Sequence, residues 1–178
     1  MIDEVLAFWF SEPVEARWFR ADPALDAAIG ERFGALVTAA AAGELDDWLE
    51  TADGALALVI LLDQFPRNIH RGTPAAFAAD AKARAVADRA LALGHDRAVA
   101  AARRLWFYLP FEHSEQLADQ QRSLALFTAL GDAGLLDYAV RHHEIIARFG
   151  RFPHRNTVLG RPSTAEERAF LTQPGAAF

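Results

Sequence analysis

The sequence predicts an all-α fold of about eight or nine helices arranged as antiparallel hairpins. Apolar residues recur at helical spacing in nearly every segment, and strand-like alternation is almost absent. Start and stop residues punctuate the chain: Asp22-Pro23, Asp80, Asp96 and Ser163-Thr164 as starts, Gly43, Gly94, Gly131 and Gly150 as stops. Links between these segments are short, which sets successive helices side by side.

The pattern predicts a first helix over Ile2–Phe10, stopped before Pro13, then an aromatic link with Trp18 and Phe19. Asp22 as N-cap and Pro23 at the first position open a helix to about Ala42. Glu44–Glu50 reads as a short helix with Leu45, Trp48 and Leu49 on one side. Asp53–Phe65 contains ALALVILL, apolar all round, and reads as the central buried helix, ended by Pro66. Thr73-Pro74 begins a new segment, Asp80 caps a helix to about Leu93, and Asp96 caps another to Tyr108, closed by Pro110. A helix from Ser114 or its neighbours runs to Leu130, a further one spans Gly134–Phe149, and Ser163-Thr164 with Glu166 and Glu167 forms a capping box for a last helix to about Leu171. These elements read as one domain over residues 1–178, with a loose tail from about Gln173.

Composition narrows the function. Hydrophobic residues make up 52% of the 178 positions, enough for a substantial core. The chain has no cysteine, which excludes disulfides, thiolate metal sites and a cysteine nucleophile and suits a reducing, cytoplasmic setting. A net charge of −6, without a basic stripe, argues against nucleic acid and anionic membranes as partners. No signal peptide or membrane-spanning run is visible. Nothing in the sequence marks an oligomeric state.

Three polar, aromatic-flanked stretches are expected to meet at one site: LLDQFPRNIHRG (Leu61–Gly72), LWFYLPFEHSEQLADQ (Leu105–Gln120) and RFGRFPHRNTVLGRPST (Arg148–Thr164). On the helix after Ser114 one face begins polar, with Gln116, Asp119, Gln120 and Ser123, and ends apolar. His142 falls inside the apolar stripe of Leu135, Tyr138, Ala139, Ile145, Ile146 and Phe149; buried there, it needs hydrogen-bond partners, with Asp63, Glu112, Glu115 and Asp119 as candidates. Arg141–Arg161 holds five arginines and three histidines against one acid, and Glu112–Asp119 holds three carboxylates. Pairing the two stretches leaves a surplus among Arg148, Arg151, Arg155 and Arg161, suited to a carboxylate or phosphate.

Phosphate loops, dinucleotide fingerprints and nucleophile elbows are absent. His142-His143-Glu144 lacks zinc-protease spacing, and Glu112-x-x-Glu115 has no following histidine for a di-metal site, so neither metal nor cofactor is expected. LLDQFPRNIHRG, YLPFEHSE followed by DQ, the HxxII of His142–Ile146 and RFGRFPHRNxxLGRxST resemble the uncharacterised bacterial family catalogued as domain of unknown function nine-two-four. The resemblance runs from the VLxFWF start through the last helix and implies a TPR-like superhelical arrangement. It carries no activity, and marks Asp63, Gln64, Arg67, Asn68, Glu112, His113, Glu115, Gln120, His142, Arg151, His154, Arg155 and Asn156 as the family's pattern. The expectation is a binding protein whose polar pocket, lined by these residues, takes a small anionic ligand or a peptide carboxylate. The alternatives are a hydrolase or transferase using Glu112 or Glu115 with His142, and a scaffold whose polar residues only clamp helix ends.

Overall fold

The computed structural model describes residues 1–176; positions 177 and 178, the end of the expected loose tail, lie outside the described residues. Those described are helical with no strand, and none of their helices is long and apolar enough to cross a membrane. They gather into two compact units, Met1–Arg71 with Ala75–Pro110, and Gly72–Pro74 with the described part of 111–178.

In the first unit, Asp22 Oδ1 accepts the Ala24 and Leu25 N–H groups at 3.0 and 3.1 Å and opens the helix Pro23–Ala42. Leu25, Ile29, Phe33, Val37 and Ala40 form its buried stripe, at the spacing of one helical face. Gly43, at φ +89°, ends it in the left-handed conformation that a Cβ disfavours. The Glu44–Glu50 helix is narrower than expected, a 3₁₀ turn over Asp46–Glu50.

The central helix departs most from expectation. It does not stop before Pro66. Ala52–Val59 passes through a π turn, Ile60–Gln64, into a further helix, Phe65–Ile69. Pro66 has no N–H for the usual bond to the carbonyl four residues back. The π register absorbs this break: the Phe65 N–H reaches back five residues to the Ile60 carbonyl. Ala55–Phe65 is buried throughout. Beside it Trp106 meets Trp9 and Trp18 edge to face, Trp9 and Trp18 stack on each other, and Trp18 Nε1 donates to the Trp9 carbonyl at 3.0 Å.

Two other expected caps are used differently. Asp80 is the first residue of Asp80–Ala92, and its carboxylate faces Arg67 rather than the helix start. Asp96 turns inward to accept the Tyr108 hydroxyl at 2.9 Å, and burial together with that carboxylate pushes the phenol up to about 12. The expected helix from Asp96 to Tyr108 is consequently broken into His95–Ala98, a 3₁₀ turn Ala101–Arg103, and Leu105–Glu112, and Pro110 lies inside this last piece rather than ending it.

The second unit is built on the hairpin Leu117–Leu130 and Ala133–Phe149, turned at Gly131 and capped by Asp132 on the Leu135 N–H at 3.0 Å. The first helix of the pair starts at Gln116, which is exposed, so the expected polar inner face narrows to Asp119, Gln120 and Ser123. On the second helix Ala139, His142, Ile145 and Ile146 are buried, whereas Tyr138 is 50% exposed with the Arg141 guanidinium over its ring. Ile145, Ile146 and Phe152 form a small core closed by Phe149 and Phe170. The capping box forms as expected: Thr164 Oγ1 accepts the Glu167 N–H at 3.1 Å and Glu167 Oε2 accepts the Thr164 N–H at 2.7 Å. Toward the end of the described residues Arg141 donates to the Gly175 carbonyl at 3.2 Å and Ala176 is buried.

Asp22→Ala removes the side-chain acceptor of the Ala24 and Leu25 N–H groups at its helix start and is expected to lower the urea-unfolding midpoint. An unchanged midpoint and slope would contradict the capping role.

Candidate functional site

The predicted residues fall in both units. In the first, Asp63, Gln64, Arg67 and Asn68 ride the π turn and the helix that follows it. Arg67 donates to both Asp80 oxygens at 2.9 and 3.0 Å and to the Asp63 carbonyl at 2.6 Å, and its Nη1 lies 3.3 Å from the Asp63 carboxylate. Burial disfavours this guanidinium's charge, and the Asp63 and Asp80 carboxylates more than offset that, raising its pKa. Gln64 donates to Asp63 at 2.5 Å; Asn68 donates to Asp26 at 2.8 Å, and Arg71 binds the same carboxylate at 2.7 and 2.8 Å. An open depression of about 520 Å³ in this unit, bordered by Ile2, Asp3, Thr51 and Asp53, contains none of the predicted residues.

In the second unit the other two stretches meet. Glu115 accepts the Phe152 N–H at 2.8 Å and binds Arg161 through both oxygens at 2.7 and 2.9 Å. Arg161 also donates to the Phe152 carbonyl at 3.2 Å and to Asn156 Oδ1 at 3.0 Å. Both sides of the Phe152 backbone are thereby fixed. Burial opposes the Glu115 charge, but Arg161 and the Phe152 N–H outweigh it and hold the carboxyl below its ordinary value. Asn156 Nδ2 reaches Ser163 at 3.0 Å and Glu167 at 3.3 Å, and Arg151 takes both Glu167 oxygens at 2.7 and 2.8 Å. Arg151, the Thr164 N–H and Asn156 bring Glu167 down to about 2.

This corrects the expected arginine surplus. Arg148 pairs with Glu166 at 2.8 Å, Arg151 with Glu167 and Arg161 with Glu115. Composition hid this because Glu166 and Glu167 lie beyond the counted window, in the capping box. Glu167 and Phe152 were not among the predicted site residues, and Arg161 was singled out only as part of the arginine surplus, although all three stand in or beside the quoted motif.

Arg155 is placed differently. Its guanidinium stacks over the Phe152 ring at 4.5 Å, and it is 7% exposed. The His142 ring meets Phe152 edge-on at 5.5 Å, His154 flanks it at 5.5 Å, and His113 lies 6.4 Å from His142. Two imidazoles and one guanidinium therefore meet a single phenyl ring whose backbone is pinned, and a third imidazole, His113, flanks His142. His113 and His154 are only partly buried, so the group reaches the surface.

Burial takes the His142 pKa down to about 3 and the His154 pKa to about 4, and the Arg155 charge adds to both shifts. His142 Nδ1 lies 2.8 Å from the Tyr138 carbonyl and 3.4 Å from Glu112 Oε1. The carboxylate favours a charged ring, but the shorter contact engages the Nδ1 proton and burial prevails. The ring is neutral, with its proton on Nδ1. Gln120 braces the neighbouring turn, donating to the Glu112 carbonyl at 2.6 Å and the Ser114 carbonyl at 2.7 Å, orphans of a helix end. Among the described residues no group of three or more His, Cys, Asp or Glu side chains is disposed to hold a metal ion.

A family model for bacterial proteins of unknown function (DUF924) matches residues 5–175. The chain is also similar to a protein of unknown function from Agrobacterium tumefaciens whose structure is solved, at 46% identity, a TM-score of 0.92 and 96% coverage of each chain. No curated protein matches.

Two predictions follow from this geometry. Unfolded imidazoles take up protons below about pH 6.5, whereas His142 and His154 stay neutral in the fold until about pH 3 to 4. Stability is therefore complete above about pH 6.5 and falls as pH is lowered toward those values. Urea unfolding between pH 7 and 4.5, above most carboxylate titration, should show a slope approaching two protons, and one fewer in His154→Gln; a flat profile would contradict it. For the bracket, a double-mutant cycle of Glu115→Gln and Arg161→Met should give a coupling of about 1–3 kcal/mol, and additivity would show that the pair is merely adjacent.

Proposed function

The chain belongs to the DUF924 family of bacterial proteins of unknown function, and from that premise we propose that it is a cytoplasmic binding protein for a small anionic ligand. The ligand group is a carboxylate or phosphate, free or at a peptide end, and the site is the imidazole–guanidinium array of the second unit. The observation that carries this reading is the placement of Arg155, His142 and His154 around Phe152, held by a bracket that neutralises the arginines beside it. Neutral imidazoles in a positive local potential donate and accept hydrogen bonds without a proton being moved, and a guanidinium matches a carboxylate or phosphate in geometry and charge. The bracket keeps this constellation rigid before a ligand arrives, which lowers the cost of binding.

An acid–base enzyme using Glu112 or Glu115 with His142 is a second reading, favoured by the 3.4 Å approach of Glu112 to His142. Two features weigh against it. Glu115 has both oxygens committed to Arg161 and the Phe152 N–H. A histidine titrating at about 3 is a weak base near neutrality. The scaffold reading, in which these groups only clamp helix ends, is a possible outcome of the test.

Titration with inorganic phosphate, acetate and short acidic peptides should raise the melting temperature. Arg155→Met should weaken binding of the same probe at least tenfold, about 1.4 kcal/mol, with helical circular dichroism retained. Absence of any shift across the panel, or an Arg155→Met variant that binds as the parent does, would favour the scaffold instead.

A further inference from the structure

Gln120 and Ser123 are both fully buried, at 0% exposure, three residues apart on the helix Leu117–Leu130 and so adjacent on one face. The Gln120 amide nitrogen is committed to the Glu112 and Ser114 carbonyls, with the Phe111 carbonyl at 3.5 Å. A flipped amide would set oxygen against oxygen, so its orientation is fixed and Oε1 turns away as an acceptor. Neither Gln120 Oε1 nor the Ser123 hydroxyl has a hydrogen-bond partner among the described residues. A helical hydroxyl can bond the carbonyl four residues earlier, as Thr38 does to Gly34 at 3.1 Å, and Ser123 forgoes that local solution. Two buried orphans side by side are costly, and apolar residues of similar size would remove that cost.

Their position is informative. The hairpin runs antiparallel about Gly131, which sets Gln120 near the level of His142 and Ser123 near the level of Ala139. Gln120 also holds the main chain of Glu112, whose carboxylate lies beside His142. The orphan edge therefore adjoins the imidazole array.

We propose that Gln120 Oε1 and the Ser123 hydroxyl read a hydroxyl group carried by the anionic ligand, making the ligand a hydroxylated small anion such as a hydroxycarboxylate or a sugar phosphate. The inference rests on the anion-binding reading above. A hydroxyl suits the edge because it donates to Gln120 Oε1 while accepting from Ser123. An ammonium group offers no acceptor to Ser123 and is disfavoured by the positive potential around Arg155.

The test uses the full chain and matched probes: acetate against glycolate, and inorganic phosphate against glycerol 3-phosphate, by calorimetric titration. The hydroxylated member of at least one pair should bind about tenfold tighter or more, roughly 1.4 kcal/mol. Ser123→Ala should erase most of that advantage and leave the plain anion's affinity unchanged; Ser123→Cys, close in size, serves if the alanine variant folds poorly. Equal affinities within both pairs would overturn the proposal while leaving anion binding intact. So would a Ser123→Ala variant that changes stability alone, as removal of a contact to resident water would do. If none of the four probes binds, the anion reading fails and this proposal fails with it.

Discussion

The second unit depends on one carboxylate. Glu115 binds the Phe152 N–H and both arms of Arg161, and Arg161 closes the loop on the Phe152 carbonyl. A phenylalanine whose backbone is held on both sides presents its ring in one place, and the orientation of His142, His154 and Arg155 around that ring follows. Bidentate pairs of this kind give directional constraint as well as energy. Around this bracket, Arg151, Asn156 and Glu167 extend the constraint to the last helix, so the segment between Phe149 and Thr164 is fixed although much of it is irregular.

The same chemistry recurs in the first unit. Arg67 on Asp80 and Arg71 on Asp26 join helix ends through forked pairs, and the π turn that carries Asp63 and Gln64 is the answer to a proline set inside a buried helix. In both units forked arginines act as struts. What distinguishes Arg155 is that the ring it covers, Phe152, is also met by two imidazoles, and the proposed function rests on that distinction. Partly buried pairs of this sort are costly to break on one side, so single substitutions in the struts affect stability before they affect any ligand.

Much of the helical pattern was legible from residues with a local mechanism. Asp22-Pro23, Gly131, Gly150 and the Thr164–Glu167 box act through their own backbone neighbourhood, and each stands where the sequence puts it. The failures share a different cause. Pro66, Pro110, Asp80 and Asp96 carry strong local signals that distant partners override: a π register, a Gln120 amide on the carbonyls after Pro110, Arg67, and Tyr108. The candidate site was legible as a set of polar residues in an apolar context, His142 above all. Which of them pair with one another was not, because Glu115 and Arg161 are joined only by the tertiary fold. The arginine surplus failed for that reason too: a count along the sequence stops at a window edge, and Glu166 and Glu167 lie just past it.

The central claim is that the bracket holds a neutral imidazole array with His142 in a single tautomer. Nitrogen-15 spectra of the histidine rings in the intact protein at pH 6 test it most directly. The account predicts a protonated Nδ1 and a bare Nε2 for His142, and a neutral His154. Imidazolium signals from these two rings at that pH, with both nitrogens protonated, would contradict it.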